Sequence, residues 1–123
     1  MLDFEVFKDR GSKKLNEEPR VTLQKKGVIG LNLPAYEMLG APEAVELLYA
    51  PKARTIGIRA ADPALPHAYR PRLPKGGNTR LVAAIAFFKR YGIMIGSIER
   101  YPAKMVGDVL AIDLSERQQE EQR

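Results

Sequence analysis

The chain contains no cysteine among its 123 residues. That excludes disulfides, thiol catalysis and cysteine-based zinc sites, and it fits a cytoplasmic protein. Histidine is nearly absent as well. His67, the only one, lies between Pro66 and Ala68 with no carboxylate close by in sequence. A catalytic histidine needs a nucleophile and an orienting partner, and the spacing supplies neither. A metal site built on one histidine would need clustered carboxylates. None appears; Glu116, Glu120 and Glu121 belong to a charged tail. The carboxylates Glu37, Glu43, Glu46, Asp62, Glu99, Asp108 and Asp113 form no local pair suited to glycoside chemistry. Glu46 and Glu99 are expected to face solvent or to pair with a nearby Lys or Arg.

Long apolar runs are missing too. The longest covers residues 81–88, far short of the roughly 20 residues that cross a bilayer. The opening Met1-Leu2-Asp3-Phe4-Glu5 lacks the basic-then-apolar layout of a signal peptide. These absences predict a non-enzymatic protein with no cofactor, no metal and no membrane partner.

Acidic residues are scarce where it matters most. Residues 20–104 hold 14 Lys and Arg against five acids, and no acid lies between Asp62 and Glu99. The body of the chain is therefore far more basic than its overall net charge of +5. A basic body favours polyanions such as nucleic acid or anionic lipid if the cations share a face. Scattered over opposite faces, they only keep a small domain in solution.

At this length one domain covering residues 1–123 is expected, large enough for a real core. Residues 1–19 read as a partly flexible arm, with a short edge strand at 4–7. Residues 21–60 form a first lobe, 67–114 a second, and 115–123 a disordered tail. Val21, Thr22 and Leu23 alternate as a strand, Lys25-Lys26-Gly27 turns, and residues 28–31 return with Ile29 and Leu31 on one face. Asn32 suits a helix N-cap and Pro34 the first turn. Ala35, Met38 and Leu39 make an apolar stripe, and Gly40 a left-handed stop. Residues 45–49 and 55–59 form a hairpin around Pro51-Lys52-Ala53-Arg54. Residues 61–66 form a Pro-rich connector, and the prolines of 67–73 keep that stretch an edge strand or extended loop. In the second lobe, Leu81, Ile85 and Phe88 at i, i+4, i+7 predict a helix over 80–91, capped by Asn78 or Thr79. A hairpin of 97–101 and 109–114 closes the chain.

The order strand, helix, hairpin occurs twice. Leu39-Gly40, Tyr49 and Lys52 recur as Tyr91-Gly92, Tyr101 and Lys104, each 52 residues on. The expected fold is α+β: two pseudo-repeated units forming a small, mainly antiparallel sheet or barrel with two helices.

The candidate contacts are cations at turns. Lys25, Lys26, Lys52 and Arg54 sit at hairpin tips, and Arg70, Arg72 and Arg80 flank the loop Lys75-Gly76-Gly77-Asn78, whose own cation is Lys75. That loop lacks the P-loop order, but it suits a phosphate backbone.

Residues 21–60 resemble the swapped-hairpin DNA-binding domain of the AbrB/MazE class. Gly27-x-Ile29-x-Leu31 matches its strand motif, Ala35 an apolar helix position, Leu39-Gly40 the helix end, and 45–49 with 56–58 the hairpin. Asn32 stands where the class has proline, and the Gly-Asp before the hairpin is missing. The resemblance implies an intertwined dimer that contacts DNA through Arg20, Lys25 and Lys26. Alternatively, the second lobe supplies within one chain what a second subunit supplies there.

Three functions follow in order. The first is a DNA-binding transcriptional regulator or antitoxin-like factor, monomeric or homodimeric, using Arg20, Lys25, Lys26, Lys52, Arg54, Arg70, Arg72, Lys75 and Arg80. The second is a protein-interaction or structural module working through sheet edges and residues 63–74. The third is a small enzyme or binder that grips an anion between the lobes with Arg70, Arg72 or Arg100.

Overall fold

The computed structural model describes residues 18–117. The proposed strand at 4–7, most of the arm and the tail beyond Arg117 lie outside them. The described chain is α+β, with two four-stranded antiparallel sheets and two helices.

Sheet A begins with β1 (Arg20–Gln24) and β2 (Val28–Leu31), joined by the turn at Lys25-Lys26-Gly27. The turn closes where the Gly27 N–H donates to the Gln24 carbonyl at 2.8 Å. Period-2 alternation sends Val21 and Leu23 inward from β1, and Ile29 and Leu31 inward from β2.

Helix α1 (Leu33–Met38) follows. Asn32 caps it, its Oδ1 accepting the Ala35 N–H at 3.0 Å, and Pro34 occupies the first turn. Ala35 is buried, but Met38 is exposed at the helix end, so the apolar stripe is narrower than the spacing predicts. The chain leaves through Gly40, whose φ of +88° is left-handed.

Sheet B contains the hairpin β3 (Val45–Ala50) and β4 (Thr55–Ala60), with Ile56 and Ile58 fully buried. The extended stretch after it touches both sheets. Tyr69 bridges Val45 on the edge of sheet B, and three residues later Arg72 bridges Leu81 on the edge of sheet A.

The helix predicted over 80–91 is divided. Residues Arg80–Ala83 form β5, paired with β2, and α2 spans Ile85–Tyr91. Leu81 and Val82 face Gly30 and Ile29 across that ladder, and the Ala84 N–H donates to the Gly27 carbonyl at 2.7 Å. Strand pairing thus overrides the helical spacing up to Ala84. Ala84 is the N-cap and has no side-chain cap bond, in place of Asn78 or Thr79. Val82 and Phe88 are buried, whereas Ile85 is about half exposed.

The closing hairpin also differs from expectation. Strand β6 (Glu99–Pro102) joins β1 in sheet A, and after Ala103 the chain enters β7 (Lys104–Val106) in sheet B. Its hairpin partner is β8 (Val109–Asp113), which also pairs with β4. One turn of 3-10 helix, Leu114–Glu116, stands at the start of the expected tail.

The strand orders are β5-β2-β1-β6 and β3-β4-β8-β7, so each sheet takes strands from both halves of the sequence. Inward residues of both sheets, including Val21, Leu23, Ile29, Ile56, Ile58, Leu110 and Ile112, join one hydrophobic core. Each fully buried Leu or Ile contributes about 1.5–3 kcal/mol. Of the two architectures expected, sheet and barrel, the sheets are open and form no closed barrel.

Candidate nucleic-acid interface

The same alternation that buries Val21 and Leu23 turns Arg20, Thr22 and Gln24 to the outer face of sheet A. Thr22 lies opposite Gly30 on one side and Arg100 on the other, and Arg20 lies opposite Pro102. Arg20 and Arg100 are therefore diagonal neighbours on adjacent antiparallel strands, about 7–8 Å apart at the backbone. On the other side of β1, Gly30 of β2 supplies bare backbone beside Thr22. A Cβ there would come within 2.5 Å of Thr22 Oγ1 and 3.1 Å of Thr79 Cγ2. The result is a shallow hollow of about 340 Å³ lined by Arg20, Thr22, Gln24, Thr79 and Arg100, with no carboxylate among the described residues of its wall.

Asn32 holds one end of this face in register. Its Oδ1 accepts the Arg20 backbone N–H at 3.0 Å as well as that of Ala35, and its Nδ2 donates to the Glu18 carbonyl at 2.8 Å. One side chain thus sets both the start of β1 and the start of α1. Lys25 and Lys26 continue the ribbon at its exposed turn.

The remaining candidates are dispersed. Lys52 and Arg54 lie exposed in the β3–β4 turn of sheet B. The Arg54 carbonyl accepts the Leu114 N–H at 2.9 Å. Arg70 donates to Glu43 at 3.0 Å. Arg72 uses its backbone to bridge Leu81, and Lys75 sits exposed in the following loop. The Arg80 guanidinium lies 4.6 Å from the centre of the Tyr36 ring and also donates to the Asn78 carbonyl. Arg80 is thus engaged at the edge of the core rather than on the outer face.

Sequence reasoning missed the placement of Arg100, Thr22 and Gln24. The alternation of β1 could have shown Thr22 and Gln24. Arg100 required knowing that β6 pairs with β1.

His67, which has no carboxylate near it in sequence, finds one in space. Its Nε2 lies 2.8 Å from Glu46 Oε1, while Oε2 of the same carboxylate accepts from Arg59 at 2.7 Å. These two partners, His67 first, hold the Glu46 carboxyl below the usual glutamate range. The other carboxylate expected to pair, Glu99, accepts from the Tyr101 hydroxyl at 2.5 Å and from Arg117 at 3.4 Å. Burial, with Glu99 alongside, raises the Tyr101 hydroxyl well above the usual tyrosine value.

No group of three or more metal-ligating side chains occurs among the described residues. No helix among them is long and apolar enough to cross a membrane. Comparison with protein-family models, with curated proteins and with solved structures returns no match.

Proposed function

We propose that this chain is a non-enzymatic DNA-binding protein, a transcriptional regulator or antitoxin-like factor, that meets the phosphate backbone with the outer face of sheet A. The observation that carries this reading is the diagonal placement of Arg20 and Arg100 on the outer face of sheet A, where both line one hollow with Thr22, Gln24 and Thr79. Two guanidiniums at that separation suit neighbouring phosphate oxygens, and guanidinium forks bind such oxygens in bidentate fashion. Thr22, Gln24 and Thr79 add neutral hydrogen-bonding groups of the kind that position a backbone without reading sequence. Lys25 and Lys26 extend the positive strip along the β1–β2 ribbon.

The reading also treats the chain as a single-chain counterpart of a paired swapped-hairpin architecture. Strand β2 begins at Val28 and β5 at Arg80; α1 begins at Leu33 and α2 at Ile85. Both intervals are 52 residues. Two of the three strand pairings between the halves, β2 with β5 and β4 with β8, obey the same interval, and the third, β1 with β6, does not. Ile29 faces Val82 and Gly30 faces Leu81, as a twofold relation with that offset requires, and Ile58 faces its own equivalent, Leu110. This regularity supports a repeat and makes the second half stand in for a second subunit.

The test is fluorescence anisotropy with a labelled random-sequence duplex at about 50 and about 200 mM salt, with single-stranded DNA and RNA in parallel. Micromolar or tighter binding that weakens steeply with salt is expected. The double variant Arg20→Ala/Arg100→Ala should lower the salt slope by about 2. Absence of binding at low salt, or binding that the double variant leaves untouched, overturns the proposal.

A further inference from the structure

The second notable surface lies away from the sheet A hollow, where α2 ends. Helix α2 stops at Gly92, whose φ of +65° is left-handed, and the Ile93 N–H donates back to the Phe88 carbonyl at 2.9 Å. The chain then alternates: Ile93 and Ile95 pack against the core, while Met94 between them projects outward at 88% exposure. Across from this loop, Ile85 at the start of α2 is 47% exposed and sits against Gly27 of the β1–β2 turn. Together they bound a groove of about 470 Å³ whose floor is Ile85, Phe88, Ile93 and Ile95. Gly92 and Gly96 form stretches of wall with open space where a side chain would be.

Two features of this groove specify its occupant. Its polar rim is wholly cationic, made of Lys25 on one side and Lys89 on the other. Neither lysine has a carboxylate within ion-pair distance among the described residues. The sequence carries no acid between Asp62 and Glu99, so the segment that builds most of the groove brings no counter-charge of its own. Met94 has the flexible, polarisable side chain that adapts to varied apolar partners. An exposed apolar strip with such a rim is the complement of an amphipathic segment that carries carboxylates beside its apolar anchors. A second copy of this chain carries a net charge of +5, so overall electrostatics do not draw it to a positive rim.

We infer that the groove between α2, residues 92–96 and the β1–β2 turn docks a short acidic amphipathic peptide segment of a partner protein. Two or three apolar side chains enter over Phe88, Ile93 and Ile95, Met94 closes on them, and flanking Asp or Glu residues meet Lys25 and Lys89. The inference does not depend on DNA binding: the Arg20–Arg100 hollow and this groove share no lining residue, and Lys25 alone belongs to both the positive strip and the groove rim.

The test is selection from a displayed library of random dodecamers against the full chain. Counter-selection uses Met94→Asp and Lys89→Glu variants, both at exposed positions and both checked for an unchanged thermal melt. The expected result is enrichment of peptides combining Asp or Glu with Leu, Ile, Phe or Met. A synthetic winner should bind at micromolar affinity, at least tenfold weaker to Met94→Asp and at least fivefold weaker to Lys89→Glu. Its amide shift perturbations should centre on Lys25, Ile85, Lys89 and Gly92 to Gly96. Enrichment of basic or charge-neutral peptides, or no enrichment, overturns the inference. So do shifts centred elsewhere, or concentration-dependent dimerisation of the chain that Met94→Asp abolishes. The Arg20→Ala/Arg100→Ala protein should bind the selected peptide normally, which separates this site from the nucleic-acid reading.

Discussion

Gly27 and Ile85 touch without room for a side chain between them: a Cβ on Gly27 would fall 2.7 Å from the Ile85 Cα. The same glycine has φ of +83°. A residue in a turn therefore also forms the seat of helix α2, and its carbonyl takes the Ala84 N–H that ends β5.

Gly27→Ala should destabilise the fold by about 2–4 kcal/mol, combining left-handed strain with overpacking. Gly92→Ala is the control. Gly92 is also left-handed, but open space surrounds the added methyl, so about 1 kcal/mol is expected. Urea denaturation measures both, and equal losses would contradict the packing argument.

Asn32→Ala removes the acceptor of two backbone N–H groups, from Arg20 and Ala35. The lost cap costs about 1 kcal/mol, and the part-buried Arg20 N–H left without its partner adds about 1–2 kcal/mol. Asn32→Asp keeps both acceptor bonds and loses only the donation to Glu18. It should recover most of the loss at neutral pH. Thermal melts of the three proteins, compared at one pH, check the order.

Acid should weaken the attachment of residues 61–73 to β3. His67 and Arg59 hold the Glu46 carboxyl below its ordinary value of 4.5. A group whose folded pKa is depressed contributes stability that is present above the unfolded value and is lost as pH falls through the folded one. The melting temperature should therefore drop as pH is lowered below about 4.5, and Glu46→Gln should flatten part of that drop. Part will remain, because Asp113 is likewise lowered, by hydrogen bonds from the Ser115 hydroxyl and backbone N–H. A profile for Glu46→Gln parallel to the wild type would refute the assignment to Glu46.

If the second half of the chain replaces a second subunit, the protein needs no intertwined partner. Sedimentation equilibrium should then return the mass of one chain across a wide concentration range. An obligate dimer, stable on dilution, would count against the single-chain reading.

Much of the fold was legible in local sequence. Val21-Thr22-Leu23 and Ile29-Gly30-Leu31 alternate cleanly, Lys25-Lys26-Gly27 turns, and Asn32-Leu33-Pro34 opens a helix that Gly40 ends. Each of these depends on neighbours within a few residues. The strand at Arg80–Ala83 was hidden because Leu81, Ile85 and Phe88 also fit a helical face, and only pairing with β2 decides between the two. The division between β6 and β7 was hidden for the same reason. The strand changes sheet at Ala103 because β1 is its partner on one side of that residue and β8 on the other.

The candidate sites divide in the same way. The sequence by itself determined the basic body, the absence of cysteine chemistry, and the outward turn of Arg20, Thr22 and Gln24, since charge counts and strand alternation are local properties. Tertiary structure alone decided that Arg100 stands beside Arg20, that His67 meets Glu46, that Arg80 lies over Tyr36, and that Lys25 and Lys89 rim one groove. Each of those relations joins residues far apart in the chain, and it is set by strand register and core packing rather than by spacing along the sequence.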